Sequence, residues 1–178
     1  MSKKDIYLAG SAFWGGQAFM EKLPGVIETE LGITDGSTGT AIETFWINYP
    51  DDEFLGTAEC MKVTYDDSII SLPLLLDAFF LTVDPFSTEK QINYSGGMPE
   101  AKIFYIDPAD EVVAAKKVAE LQKGFDRPVT IEVVPLEGFR EAGTYAQDYI
   151  DRNLGERLMI DPSLADAFVE VHKDEFNK

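Results

Sequence analysis

The sequence predicts an α+β fold, a single-domain sandwich in which helices cover a mixed β-sheet. Short alternating or β-branched stretches predict strands, and amphipathic runs bounded by capping signals predict helices. The two kinds of element are interleaved without the regular alternation of a parallel α/β fold. With 178 residues, of which 45% are hydrophobic, the chain can build a sizeable core. We therefore expect one domain over residues 1–178, with residues 154–178 forming a helical C-terminal extension.

The first half of the chain supplies three predicted strands and one helix. Residues 5–10 are an apolar run that predicts a short buried strand, and residues 15–23 predict a helix ended by a Pro-Gly pair. Residues 26–32 alternate in polarity and predict the second strand. Residues 34–40 are rich in Gly and Thr and predict a loop. Residues 57–65 alternate again and predict the third strand.

The second half supplies two predicted strands and four helices. Ser71 can cap a helix that runs to residue 81. Residues 84–100 have no period and predict a long ordered loop. A strand is expected at residues 101–106 and a helix at residues 108–123, with a proline at its start and a glycine just past its end. The β-branched residues 129–134 predict the last strand. Further helices are predicted at residues 143–152 and 164–176.

Alternation along the third strand separates two reactive side chains. Successive residues of a strand point to opposite faces of the sheet, so Glu59 and Cys60 cannot face the same way. Glu59 shares its face with Met61 and Val63. A free cysteine on a buried strand face usually behaves as a small, inert hydrophobic group, and core packing is the expected role of Cys60.

The charge balance of the chain argues against partners that are themselves strongly anionic. The chain has 15 Lys and Arg against 32 Asp and Glu, a formal net charge of -17. Such a chain repels phosphate backbones and anionic lipid headgroups, so neither nucleic acid nor a membrane is an expected partner. The longest apolar stretch, near residues 72–83, is interrupted and too short to span a bilayer. Without an apolar leader, the chain is expected to be cytoplasmic.

The cysteine and histidine counts limit the possible chemistry further. Cys60 is the only cysteine and His172 the only histidine. An intrachain disulfide and a multi-cysteine zinc site are therefore excluded. We expect neither a metal nor a cofactor, and the sequence leaves the oligomeric state open.

A run of short motifs resembles one enzyme family. Residues 10–15 are Gly-Ser-Ala-Phe-Trp-Gly, and they lie between a predicted strand and a predicted helix. This segment resembles the G-G-C-F-W-G signature of A-type peptide methionine sulfoxide reductases. Further matches follow in the family's order: L-P-G-V at residues 23–26, G-T-A-E at 56–59, V-T-Y-D at 63–66, D-P at 84–85, I-F-Y at 103–105 and Y-A-Q-D-Y at 145–149. The chain is identified as a member of this family, which implies helices on a mixed sheet with a ferredoxin-like core.

The resemblance also implies a mechanism. In this family a thiolate at the start of a helix attacks the sulfur of methionine sulfoxide, and a nearby acid protonates the leaving oxygen. The cysteine becomes a sulfenic acid, which a resolving cysteine converts to a disulfide. Position 12 would carry the attacking cysteine, but this chain has Ala12 there. A methyl group can neither accept the oxygen nor form a disulfide.

Other positions depart from the family pattern as well. Leu158 stands where many relatives carry the resolving cysteine. Thr57 and Ala146 replace two histidines. Tyr94 replaces an acid, and Pro99 replaces a substrate-binding tyrosine. We therefore expect a diverged member of the family that is inactive in this reaction.

Four residues remain candidates for a binding site. Phe13 and Trp14 correspond to the family's aromatic cage for the substrate methyl group, although two aromatics at a helix entry also commonly pack in a core. Glu59 corresponds to the general acid, whereas the simpler alternative is an exposed strand glutamate. Tyr94 either offers a hydroxyl group to a polar ligand or packs against the surface.

Three functions compete on these residues. The first is peptide-methionine (S)-S-oxide reductase, which Ala12 opposes directly. The second is a non-catalytic module that binds methionine sulfoxide, another methyl-bearing small ligand or a protein in the former pocket. The third is a different enzyme chemistry in the same cavity, for which no nucleophile or metal set is apparent. Retention of Glu59, Phe13 and Trp14 favours the second.

Overall fold

The computed structural model describes residues 1–35, 56–88, 99–142, 144, 147–148, 152 and 160–178. Six strands of this described part form one sheet, and four helices accompany it. The strands are β1 (Lys3–Ala9), β2 (Val26–Asp35), β3 (Gly56–Asp66), β4 (Lys102–Tyr105), β5 (Glu132–Pro135) and β6 (Phe139–Glu141). The helices are α1 (Phe13–Glu21), α2 (Leu72–Phe80), α3 (Pro108–Gln122) and α4 (Leu164–Val171).

The strand order places the start of α1 at the middle of the sheet. The order is β5-β4-β1-β3-β2-β6. β4 and β5 are parallel, and the other neighbouring strands are antiparallel. The predicted mixed sheet and α+β class are thus confirmed. Because β1 is central and leads directly into α1, the first turn of this helix lies beside both β1 and β3.

The two faces of the sheet carry separate cores. Ile6 and Leu8 of β1 belong to a main core to which all four described helices contribute side chains. Tyr7 and Ala9 alternate with them and belong to a second, smaller cluster. The alternation of side chains across a strand therefore sorts neighbouring residues of β1 into different cores.

Several predicted boundaries were wrong for identifiable reasons. β2 continues to Asp35 although residues 34–40 were expected to form a loop, because its end still pairs with β3. β5 begins at Glu132 rather than residue 129. Thr130 is engaged instead with another loop, since its backbone N–H donates to the carbonyl of Pro85 at 2.8 Å.

β6 was not predicted from the sequence. Its three residues are too few to show a period, and they pair with residues 32–34 of β2. A side chain at Gly32 would lie 2.2 Å from the carbonyl oxygen of Arg140, so the absence of a side chain lets β6 approach.

The predicted helix ends were only partly correct. α4 ends at Val171, short of the expected residue 176, and turns follow it. The predicted Ser71 cap is confirmed: its hydroxyl accepts from the N–H of Leu74 at 3.4 Å. The predicted helix at residues 143–152 falls largely outside the described residues, as does most of the loop at residues 84–100. None of the described helices is long and apolar enough to cross a membrane.

Candidate functional site

The turn between β1 and α1 depends on a glycine. Gly10 has a φ of 110°, a conformation that side chains disfavour. A Cβ there would lie 2.5 Å from the Cα of Ala101. The chain therefore passes tightly over the segment before β4 and turns into the helix at once.

Ala12 forms the N-cap of α1. Its backbone is extended, with φ of −61° and ψ of 127°, and its carbonyl accepts from the N–H of Gly16 at 2.7 Å. The methyl group is 7% exposed and belongs to the main core. The first backbone N–H groups of a helix lack partners within the helix and form its positive end. Ala12 thus presents an inert methyl group beside backbone donors.

The two aromatic residues that follow begin the helix itself. Phe13 is the first residue of α1, and its side chain is outside the described part of the structure. Trp14 is half-buried and packs against the main core. Trp14 can therefore both pack against the core and contact a ligand, because part of the residue is exposed.

Glu59 lies on the helix-covered face at the same end of the sheet. In β3 it directly precedes Cys60, which pairs with Ala9 at the end of β1. By alternation it shares its face with Met61 and Val63, both of the main core. The residue is only partly exposed, and burial raises the pKa of its carboxyl group from the usual 4.5 to about 7. Glu59 is therefore no exposed strand glutamate, and near neutral pH a large fraction of it is protonated and able to donate.

Cys60 lies on the opposite face, as predicted. It is 1% exposed and packs with Tyr7, Ala9 and Phe104. Burial raises the pKa of its thiol well above the ordinary value. A buried neutral thiol is a poor nucleophile, so the prediction of a core role is confirmed.

We name Ala12, Trp14 and Glu59 together the first-turn site. β1, the first turn of α1 and β3 bring these three residues to one face at one end of the sheet. Tyr94 and Leu158, the other predicted site residues, lie outside the described residues. In the part of the chain that is described, no group of three His, Cys, Asp or Glu side chains could hold a metal ion.

A buried amide network next to this site was missed by sequence reasoning. Gln17 of α1 is 1% exposed, and its side-chain nitrogen donates to the hydroxyl of Thr29 at 3.1 Å and to Oε1 of Gln147 at 3.3 Å. Its Oε1 accepts from the backbone N–H of Asp148 at 2.9 Å. The only sequence signal is a polar residue inside an apolar helical run. Gln17 thus ties the helix to Gln147 and Asp148.

The side-chain amide of Gln147 completes this network by forming the hydrogen bonds that a neighbouring strand would form with β2. Its side chain accepts from the N–H of Leu31 at 2.8 Å and donates to the carbonyl of Leu31 at 2.9 Å. It also donates to the carbonyl of Ala142 at 3.2 Å. The amide therefore continues the pairing of β2 beyond the end of β6.

Comparison with known proteins agrees with this geometry. The sequence model of the family described as peptide methionine sulfoxide reductase matches residues 4–176.

The chain belongs to the peptide methionine sulfoxide reductase family.

Relatives from two bacteria show the extent of the likeness. The family member is 37% identical over 152 residues to peptide methionine sulfoxide reductase MsrA of Lachnoclostridium phytofermentans, covering 84% of this chain and 88% of that one. It is 38% identical over 154 residues to the protein of the same name from Clostridium perfringens, with 84% and 93% covered. Both alignments span most of each protein.

Solved structures confirm the fold of this family member. Mxr1 from Saccharomyces cerevisiae in reduced form matches with a TM-score of 0.70 at 24% identity, over 89% of this chain and 90% of that one. Methionine sulfoxide reductase A of Corynebacterium diphtheriae matches with a TM-score of 0.64 at 20% identity, over 88% and 78%. At these identities the likeness concerns the fold alone.

Proposed function

We propose that this protein binds methionine sulfoxide, or another small methyl-bearing polar ligand, at the first-turn site without reducing it. One observation carries the proposal. The only cysteine of the chain, Cys60, is buried on the face of the sheet opposite to Glu59. The helix-covered face of the sheet, on which Ala12 and Glu59 lie, therefore has no thiol that could reduce a sulfoxide.

A thiol route to sulfoxide reduction needs a nucleophile within contact distance of the sulfur. The thiolate takes the oxygen, the sulfoxide becomes a thioether, and the oxidised cysteine is then reduced by further thiols. The methyl group of Ala12 can take no part in these steps. Cys60 cannot replace it, because reaching the first-turn site would require its strand to flip. Turnover is therefore not expected.

Binding requires less than turnover, and the residues for it are present. The half-buried ring of Trp14 supplies apolar surface for a methyl group. A protonated Glu59 can donate to a sulfoxide oxygen, which carries partial negative charge. The positive end of the helix dipole, at the first turn of α1, favours the same oxygen. With few polar anchors, we expect a dissociation constant of about 1 mM.

A protein partner is a second candidate for this site. A solved complex of Mxr1 with Trx2, in which Mxr1 matches this chain with a TM-score of 0.56, supports it. A member of this fold that has lost turnover could keep a partner surface as a regulatory module. The cytoplasm is the proposed location for either function.

The test combines turnover with binding. Purified protein is assayed for reduction of free and peptide-bound methionine sulfoxide with dithiothreitol, and no product is expected. Methionine sulfoxide is then titrated and followed by NMR of the protein. Saturable shifts should be lost in Trp14→Ala and weakened in Glu59→Gln, but kept in Glu28→Gln, a control at an exposed glutamate of β2.

Two results would contradict this proposal. Turnover that scales with protein and survives repurification would show that reduction does not need a thiol at position 12. A titration of the folded protein that shows no shifts up to the solubility limit of methionine sulfoxide would refute the small-ligand function. The protein-binding candidate would then remain.

The variant Ala12→Cys tests whether Ala12 alone accounts for the missing activity or whether the other departures from the family pattern also contribute. We expect it to recover little activity, because Tyr94, Pro99 and Ala146 also depart from the family pattern. Misplacement of a substrate by about 1 Å can cost on the order of a hundredfold in rate. Rates like those of an active relative would show that the other departures do not matter.

A further inference from the structure

The C-terminal part of the chain returns to the first turn of α1. Ile160 is 6% exposed and belongs to the main core. A Cβ built on Gly15 would lie 3.2 Å from the Cβ of Ile160 and 3.2 Å from its carbonyl oxygen. Both the side chain and the backbone of Ile160 therefore press against the helix where Gly15 leaves room.

This contact is adjacent to the first-turn site. Gly15 follows Ala12 by three residues, and residues three apart lie on the same face of a helix. Ala12 and Ile160 are members of one core cluster, and each is almost fully covered. We propose that Ile160 is a side wall of the first-turn site that limits the size of the group reaching Ala12. This specificity role rests on the proposed function.

The residues that follow Ile160 hold this wall in place. Ala165 and Phe168 of α4 are buried in the main core. Further along, Phe176 is buried, and the N–H of Asn177 donates to the carbonyl of Ile69 at 2.8 Å. The chain that follows Ile160 is thus anchored at several points up to Asn177, which makes Ile160 a fixed boundary.

A fixed apolar boundary discriminates ligands by size. One extra methylene group in a closely fitting apolar pocket changes affinity by roughly tenfold or more. We therefore expect an S-methyl sulfoxide to bind better than its S-ethyl analogue. Shortening Ile160 should reduce this preference.

The wall can be tested without any sulfoxide. In a Cys60→Ala background, Ala12→Cys places one thiol at the first turn. This thiol is labelled with a small reagent, methyl methanethiosulfonate, and with a bulky one, a fluorescein maleimide. The size ratio is the labelling rate of the bulky reagent divided by that of the small one. Ile160→Ala should raise the relative rate of the bulky reagent on the order of tenfold.

A matched control separates the wall from general loosening. Ile70 is also fully buried against a glycine, since a Cβ on Gly25 would lie 2.7 Å from its Cγ2. It follows the far end of β3, away from Glu59. Ile70→Ala should leave the size ratio unchanged. An equal rise in both variants, or no rise in Ile160→Ala, would overturn the proposal.

A milder variant keeps the test usable if Ile160→Ala does not fold. Ile160→Val should shift the ratio in the same direction by a smaller factor. A ratio that does not change in Ile160→Val would contradict a wall.

Binding measurements distinguish an error in the role of Ile160 from an error in the proposed ligand-binding function. Methionine sulfoxide and ethionine sulfoxide are titrated into the wild-type protein and Ile160→Ala. If the wild type binds neither compound while the labelling ratio shifts, the wall stands and the small-ligand function fails. If both compounds bind with the same relative affinities in both proteins, the specificity role of Ile160 is refuted.

Discussion

Replacing Glu59 by glutamine should make the stability of the protein less dependent on pH. Burial raises the pKa of this carboxyl group from the usual 4.5 to about 7. The folded protein therefore holds the proton more tightly than the unfolded chain. The stabilisation due to the bound proton is complete below the unfolded pKa and is lost as the pH rises from 4.5 through about 7.

The size of this effect follows from the same two values. One pKa unit corresponds to about 1.4 kcal/mol, so the rise from 4.5 to about 7 corresponds to roughly 3 kcal/mol. Above the folded pKa, the wild-type protein carries this cost as a partly buried carboxylate. Glu59→Gln does not, because its amide never ionises.

The assay is urea unfolding of both proteins at about pH 5 and about pH 8. We expect the free energy of unfolding of Glu59→Gln, relative to wild type, to increase by about 2.5 kcal/mol between these pH values, since pH 5 already lies above the unfolded pKa of 4.5. All other titrating groups are shared by the two proteins and cancel in the difference. Glu28→Gln, at an exposed position of β2, is the control and should show no such trend.

Two results would refute this reasoning. A difference between Glu59→Gln and wild type that is constant with pH would show that Glu59 ionises as easily in the folded protein as in the unfolded chain. A difference that grows toward low pH would show a carboxylate stabilised by a partner. Either result would also remove the argument that Glu59 donates a proton to a ligand at neutral pH.

Three further predictions concern the frame around the site. Cys60 should react with 5,5′-dithiobis(2-nitrobenzoic acid) only after unfolding, since it is 1% exposed, and fast labelling of native protein would contradict its core role. Gln147→Ala should lower the free energy of unfolding by about 2–4 kcal/mol, because the N–H of Leu31 and the carbonyl of Ala142 each lose a hydrogen-bond partner. Gln122→Ala, whose similar bonds lie nearer solvent, should cost about 1 kcal/mol, and equal losses in urea unfolding would show that burial does not matter here. Gly10→Ala should lower the melting temperature and cost roughly 2–5 kcal/mol, because of its φ of 110° and the contact with Ala101, and an unchanged melting temperature would argue against the tight turn.

The fold and part of the site could be predicted because local patterns determine them. Alternation in residues 57–65 by itself places Glu59 and Cys60 on opposite faces, since successive side chains of a strand point to opposite sides of the sheet. The family motifs identified the segment around Ala12 and the mixed sheet. The alanine at position 12 is likewise a property of the sequence alone.

Features that depend on contacts between distant residues required the tertiary structure. β6 has three residues and no periodicity, so only its pairing with β2 defines it. The role of Gln147 depends on backbone groups of Leu31, 116 positions away in the chain. The contact of Ile160 with Gly15 likewise joins residues far apart in sequence, and no local pattern encodes it.

The same distinction applies to the chemistry of the site. The sequence by itself determined that this family member has an alanine at the start of α1 and one cysteine on the other face of β3. Only the tertiary structure decided that Glu59 is buried enough for its pKa to rise to about 7. Desolvation depends on everything packed around a group, and neighbours from α1 and β1 reach β3 only when the chain has folded.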